Sequence, residues 1–362
     1  MNRMWENTPQ SPGHYRVVGV MSGTSLDGLD VCLCEFWLAQ GQWRYSIING
    51  QTIEYDSSIK QKLESAFGCP ACEITKLDYE YGKWIGRQVN NFLAGIALKP
   101  QLVASHGHTI FHNPAEGYTL QIGKGAAIAA ETGLPCVSDF RSSDVCRGGQ
   151  GAPLVPIGDK LLFPDYSLCL NLGGFSNVSY DVNGVRVAYD VSPCNMLLNH
   201  LARRLNYEYD RNGEWGKKGQ VNENLLAQLD ALPFYAQDPP KSLGKEWFLT
   251  AILPILDSTC DSIENMLRTA YEHIANQVSS VTNRQMGSKI LVTGGGAKND
   301  FLIHLLRNKS KHSIVTPDTE TIDYKEALIF AFLGVLYMER KVGALSTATG
   351  ASEDSIAGCL YY

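Results

Sequence analysis

The sequence has no run of roughly 18 uninterrupted apolar residues, so none of it reads as a membrane-spanning helix. The opening stretch MNRMWENTPQSPGHYR lacks the apolar block of a secretory signal and reads as a lead-in to the first strand. Positive charge is not in excess. The 31 Lys and Arg are outnumbered by 37 Asp and Glu, which gives a net charge of -6. That balance argues against a nucleic-acid or anionic-membrane partner. A P-loop, GxxxxGK[ST], is absent, so any phosphate must be gripped by another device. Short-period repeats and low-complexity tracts are also missing. Cys69-Pro70-Ala71-Cys72 has no second CxxC and no paired His cluster. It reads as a loop with two thiols, not as a zinc or redox site. Cys32, Cys34, Cys136 and Cys169 sit in apolar runs and read as small buried hydrophobes of a reducing, cytoplasmic compartment.

What remains is ordinary globular composition, 44% hydrophobic and 19% charged, in a chain of 362 residues. That length exceeds what one core usually supports and predicts two domains. Strand and helix patterns alternate, which predicts an α/β class. Residues 15–21 and 29–36 read as a hairpin, 43–54 as a third strand, 57–67 and 73–97 as helices, and 102–105 as a buried strand. The second half repeats the plan, with strands at 168–172, 178–182 and 185–189, a helix after Pro193, and a further strand at 289–293. One architectural unit is therefore expected twice. The first lobe would run over 1–165 and be completed by 340–362, and the second over 166–339.

Both hairpin tips carry the same chemistry. Ser22-Gly23-Thr24-Ser25-Leu26-Asp27-Gly28 offers hydroxyls, glycines and one carboxylate. Gly173-Gly174-Phe175-Ser176-Asn177, entered from Asn171, offers the same set without the carboxylate. Successive backbone N–H groups at such turns make an anion-binding nest. Asp27 repels phosphate directly, so its expected role is to hold Mg²⁺, through water, against the phosphates. Each tip by itself is also compatible with an ordinary surface turn. Gly294-Gly295-Gly296-Ala297-Lys298-Asn299 follows a strand and opens a helix, a place for a flat nucleoside and an anion. Asp190 closes the strand 185–189, with Ser192 and Pro193 suited to the N-cap and first position of the next helix. A carboxylate beside a helix N-terminus should keep a low pKa, and in a cleft it can take a proton from water or a hydroxyl. Arg141 and Arg147 lie in a polar loop and suit a phosphate or carboxylate partner, or simply solvent. His106 and His108 end a strand beside that loop.

The blocks MSGTSLDGLD (21–30), ASHGHTIFH (104–112), LQIG (120–123), DFRSSDV (139–145), GGQGAPLVP (148–156), NLGGFSNVS (171–179), VTGGGAKN (292–299) and EALIFAFL (326–333) resemble the anhydro-N-acetylmuramic acid kinase family. The likeness extends to TATGAS at 347–352 and so covers nearly the whole chain. It implies a duplicated actin-like, ribonuclease H-like fold with a nucleotide cleft between the lobes. It also implies a cytoplasmic enzyme of peptidoglycan recycling, with ATP and an amino sugar as its small-molecule partners and a homodimer as its assembly. The implied reaction opens the 1,6-anhydro ring with water and phosphorylates the freed O6. Carried across by position, Asp190 is the general base. Residues 22–28 and 171–177 are the phosphate segments, and 294–299 the nucleotide turn. His106, Arg141, Asn195 and Glu326 fall in blocks that line the sugar cleft.

Two places depart from the family pattern. Asp-x-Gly-Pro-Gly-Asn becomes Asp190-Val191-Ser192-Pro193-Cys194-Asn195, and the family's usual Gln is His108. Both are expected near the sugar pocket. The rival readings are a kinase for another sugar on the same frame and a non-catalytic nucleotide-dependent sensor.

Overall fold

The computed structural model describes residues 13–23 and 26–362; the start of the expected lead-in, and the Thr24 and Ser25 hydroxyls, lie outside the described residues. The chain divides into two compact units, one running to Leu162 and resuming over Tyr324–Tyr362, the other Phe163–Asp323.

In the first unit, β1 (His14–Ser22), β2 (Leu29–Ala39) and β3 (Gln42–Ile53) form an antiparallel meander. β4 (Leu102–Ser105) lies parallel to β1. A separate hairpin, β5 (His108–Asn113) and β6 (Tyr118–Ile122), follows, and β7 (Cys136–Ser138) then lies parallel to β4. Val17, Val18 and Val20 are all fully buried, because both faces of β1 are covered. On one face Tyr81, Ile85 and Val89 of the helix Ala71–Leu93 pack against Val18 and Val20. On the other face lies the helix Thr319–Met338.

In the second unit, β8 (Leu168–Leu172), β9 (Phe175–Val182) and β10 (Val185–Pro193) form the meander, with β11 (Lys289–Thr293) parallel to β8 and β12 (Ser313–Val315) parallel to β11. The order β10-β9-β8-β11-β12 matches β3-β2-β1-β4-β7 strand for strand and direction for direction. The first sheet alone adds an edge strand, β13 (Cys359–Tyr361), antiparallel to β7. Tyr271, Ile274 and Val278 of the helix Ile263–Thr282 fill the core beneath the second sheet. Among the described residues, no helix is long and apolar enough to cross a membrane.

Two boundaries differ from the sequence reading. The return to the first unit comes at Tyr324, not at 340. Residues 327–336 are all buried, so this stretch of the helix is apolar all round and its pattern could not name the sheet it covers. The meander strand β10 also runs on to Pro193, so Asp190 lies inside a strand, and the helix begins at Asn195 with Cys194 as its cap residue. Ser192 is therefore not an N-cap. Its side chain is buried in the sheet instead.

Gly19 makes the close contact of helix and first sheet possible. A Cβ there would lie 2.0 Å from the Ala327 carbonyl oxygen and 2.9 Å from the Ala331 Cβ. Gly19→Ala should destabilise the protein by about 1–3 kcal/mol through overpacking. Gly174→Ala, whose Cβ meets nothing within 4 Å, should leave stability unchanged. Urea denaturation of the two variants checks this pair, and equal midpoints would contradict it.

Candidate functional site

Three polar side chains form one row across the second sheet. The register pairs Asn171 on β8 with Asn177 on β9, and Asn177 with Asp190 on β10. Directly opposed residues share a face. Leu170, Leu172, Val178, Tyr189 and Val191 belong to the core, so strand alternation turns the row the other way. Thr293 at the end of β11 extends it by pairing with Asn171.

Asp190 sits where the register slips between Asp190 and Ser192. It is half-buried. Its backbone N–H donates to the Lys241 carbonyl at 3.1 Å, and its Oδ2 accepts the Leu243 N–H at 2.8 Å. Among the described residues, Oδ1 makes no hydrogen bond. Burial raises the carboxyl above its ordinary pKa, and the Leu243 N–H partly opposes this. The low pKa expected from a neighbouring helix N-terminus is thus reversed, because the helix starts five residues later and desolvation prevails. An elevated, still ionisable carboxylate with one free oxygen suits proton abstraction.

At the β8–β9 tip, the carbonyls of Gly173 and Gly174 face the next helix. They accept from Asn195 N–H at 3.0 Å, and from Cys194 and Met196 N–H at 2.8 and 3.1 Å. Gly174 itself is exposed with open space around it. Gly294 has φ 81°, and a Cβ there would strike Asn171 Oδ1 at 2.4 Å. Gly296 is pressed on Leu172 in the same way, at 2.7 Å, so of the three only Gly295 is exposed.

Several expected ligand groups make hydrogen bonds within the protein. Ser176 is buried, donating to the Ser192 carbonyl at 3.1 Å and accepting the Ser192 N–H at 3.1 Å. Asn195 commits its amide to the Leu172 carbonyl at 3.0 Å and lies against Gly295 and Gly296. It braces the glycine turn 294–296 in the second unit, whereas His106, Arg141 and Glu326 belong to the first. Asn299 caps the helix Asp300–Lys309 by accepting the Leu302 N–H at 3.1 Å, and its Nδ2 donates to Tyr271 Oη at 2.8 Å. Asp210, which the sequence did not signal, holds that corner through Trp215 N–H at 2.9 Å and Gly216 N–H at 3.0 Å.

In the first unit the hairpin tip turns at Leu26, whose N–H donates to the Gly23 carbonyl at 3.3 Å. Asp27 is exposed at this tip. Ser22 and Gly28 are not exposed. Gly28 is buried where a Cβ would lie 2.9 Å from the Ile53 carbonyl oxygen, so it serves the approach of β3. Ser22 Oγ is buried, 2.7 Å from Tyr55 Oη and 2.9 Å from His108 Nδ1, and Tyr55 Oη is 2.9 Å from Tyr81 Oη. Both residues shape the tip from below.

His106 and Arg141 form one unit. His106 Nδ1–H donates to the Gly107 carbonyl at 2.9 Å, so Nε2 is free to accept the Arg141 Nε–H at 2.9 Å. Arg141 Nη1 donates to the Gly151 carbonyl at 2.5 Å. Burial, reinforced by the Arg141 charge, holds His106 well below the ordinary imidazole range. Burial draws the guanidinium down to about 10, opposed by Glu326 and Asp144, so it stays charged at neutral pH. Glu326 keeps an open surface, yet the protein around it pushes its carboxyl up, against the pull of Arg141. Asp144, missed in the sequence, fixes this loop by accepting the Gly151 N–H at 2.7 Å and the Thr349 hydroxyl at 2.6 Å. A polar cavity of about 120 Å³ adjoins His106, lined by Asp78, Gln121, Lys124, Asp139 and Ser142. Cys69 and Cys72 are free thiols.

The departures from the family pattern all lie inside the protein. Ser192 and Cys194 are fully buried, and His108 is 4% exposed. They support the site without facing it.

The family model described as Anhydro-N-acetylmuramic acid kinase matches residues 15–362. A protein of that name from Pasteurella multocida (strain Pm70) is 34% identical over 377 residues, covering 95% of this chain and 96% of its own. One from Pseudomonas fluorescens (strain Pf0-1) is 35% identical over 368 residues, covering 95% and 98%. One from Coxiella burnetii (strain Dugway 5J108-111) is 35% identical over 369 residues, covering 96% and 97%.

Burial draws His108 down to about 4. An unfolded histidine takes its proton near 6.5, so between these values the unfolded chain binds more protons than the folded one. Stability from this residue is complete above about pH 6.5 and declines, by up to about 1.4 kcal/mol per pH unit, as the pH falls toward 4. His108→Gln should therefore lose less melting temperature than the parent between about pH 7 and about pH 5. Parallel pH dependence of the two proteins would show that His108 is not the group responsible.

Proposed function

Because the chain belongs to the anhydro-N-acetylmuramic acid kinase family, we propose that it uses ATP to convert anhydro-N-acetylmuramic acid into N-acetylmuramic acid 6-phosphate in peptidoglycan recycling. The observation that carries the assignment is the Asp190 carboxylate, elevated by burial, held at one oxygen by Leu243 and open at the other. On this reading the fold is actin-like and duplicated. The shared strand order of the two sheets supports that reading.

ATP would lie against the exposed glycines of the second unit, Gly174 and Gly295, with the row Asn171–Asn177 beside them. Glycines with free space around them let the backbone approach phosphate closely. Asp27 is an exposed carboxylate on the other hairpin tip, which fits Mg²⁺ held by one carboxylate, phosphate oxygens and water. Bound there, Mg²⁺ would neutralise charge on the phosphates. Arg141, kept charged and fixed by His106 and Gly151, suits an anionic or hydroxyl-rich sugar substituent, and Glu326 suits a sugar hydroxyl.

In the reaction Asp190 Oδ1 takes a proton from water as the water oxygen bonds to C1 of the sugar. The C1–O6 bond breaks and its electron pair stays on O6. O6 then bonds to the γ-phosphorus, the bond from that phosphorus to the β,γ-bridging oxygen breaks, and ADP leaves. Positioning and electrostatics supply most of the acceleration, with the general base worth about 10²–10⁴-fold.

Asp190→Asn should lower turnover by at least about 10²-fold while ATP affinity is kept. A coupled ADP-release assay with anhydro-N-acetylmuramic acid measures it, and near-normal turnover would remove Asp190 as the base. In ¹⁸O-water the label should appear on C1 of the product; an unlabelled product would favour a simple kinase acting on a free hydroxyl. The acid limb of kcat/KM should lie above the ordinary carboxylate value of about 3.9, since burial raises Asp190.

A further inference from the structure

Asp190 is held by a segment that has no part in the row of site residues. Its backbone N–H and its Oδ2 are both met from one short stretch, Lys241 through its carbonyl at 3.1 Å and Leu243 through its N–H at 2.8 Å. That stretch is irregular backbone between the turn Pro233–Ala236 and the short helix Lys245–Trp247. Such backbone does not hold a fixed pose by itself.

Two anchors hold it. The first is Lys241. Its Nζ donates to the Phe234 carbonyl at 3.1 Å and lies 4.6 Å from the centre of the Phe234 ring. The side chain that reaches back to the turn thus belongs to the residue whose carbonyl holds Asp190. The second anchor is on the turn. Asp230 Oδ1 can only accept, so His273 Nδ1 carries the proton of their 2.5 Å contact. His273 Nε2 then accepts the Tyr235 hydroxyl at 2.8 Å. Asp230 is fixed in turn by Gln277 Nε2 at 2.9 Å and Asn276 Nδ2 at 3.2 Å, both from the helix that carries His273. His273 is fully buried, and the Tyr235 ring stands edge-on to it at 5.1 Å.

We propose that Tyr235, His273, Asp230 and Lys241 are positioning residues that set the pose of the Asp190 carboxylate through the segment 233–244. They touch neither sugar nor nucleotide on this reading, which rests on Asp190 being the base. A triad resembling Asp-His-Tyr serves here as a hinge pin. Its hydroxyl is spent on holding the turn, and the proton order runs from Tyr235 to His273 to Asp230 with no acceptor for a substrate.

The test uses Tyr235→Phe and Lys241→Met, which keep the ring and the aliphatic stem. Each should lower kcat about tenfold, roughly the worth of one hydrogen bond in the transition state, with KM for ATP within about twofold of the parent. Lys241→Arg keeps a donor for the Phe234 carbonyl and should recover most of the loss. Added to Asp190→Asn, neither substitution should lower turnover further, since both act through that carboxylate. Independently of catalysis, amide exchange of peptides containing Leu243 should quicken about tenfold in both variants. Unchanged exchange at Leu243 overturns the proposal whatever the activity. So does a full additional loss in the double variants, which would mean a route that bypasses Asp190. If Asp190→Asn alone retains normal turnover, the base assignment falls, and the exchange measurement still decides whether the segment is anchored as described.

Discussion

A carboxylate inside a protein surface loses water that nothing else replaces cheaply, and Asp190 replaces it with one backbone N–H from Leu243. With a single donor the charged form is only partly stabilised, so the group stays elevated and ready to accept a proton. Three or four donors would have satisfied it and taken away its basicity. The arrangement demands that the one donor be well placed. The slip in register at Asp190, the cation of Lys241 folded back over Phe234, and the buried histidine beneath Tyr235 all serve that placement.

The first unit solves a related problem with the opposite sign. Arg141 is a half-buried cation that donates to His106 and Gly151, and whose charge is balanced by Asp144 and Glu326. His106 can accept from Arg141 only while its Nε2 is bare, and its burial keeps it so. Asp144 ties the Gly151 turn to Thr349 near the C-terminus. Residues more than two hundred positions apart thereby fix one guanidinium. A planar, permanently charged group held this way presents a constant field, which suits recognition of an anionic or polar sugar substituent.

Much of the fold was legible from pattern. The buried strand 102–105 and the strand 289–293 are apolar runs bounded by turn residues, and the structure places them at those residues. The two meanders were legible for the same reason. The site was legible by region but not by residue. Ser22, Gly28, Ser176, Asn195 and Asn299 have the right chemistry at the right turns, yet each spends its polar group or its small size on neighbouring protein groups, side chains for Ser22 and backbone for the others. Composition cannot tell a hydroxyl aimed outward from one aimed inward, because both satisfy the same turn.

By itself the sequence determined the α/β class, the repeated strand pattern, the glycine turns and the family, since these depend on periodicity and on which residues tolerate a given backbone. Only the tertiary structure decided that helix 319–338 covers the first sheet, that Asp190 lies within a strand, and that Leu243 and Asp144 are its partner and the loop's anchor. A helical stretch that is apolar on every side, as 327–336 is, carries no directional signal, and a backbone donor more than fifty residues away has no signature in its side chain. Contacts of that kind exist only once burial has brought the segments together and made an unpaired polar group costly.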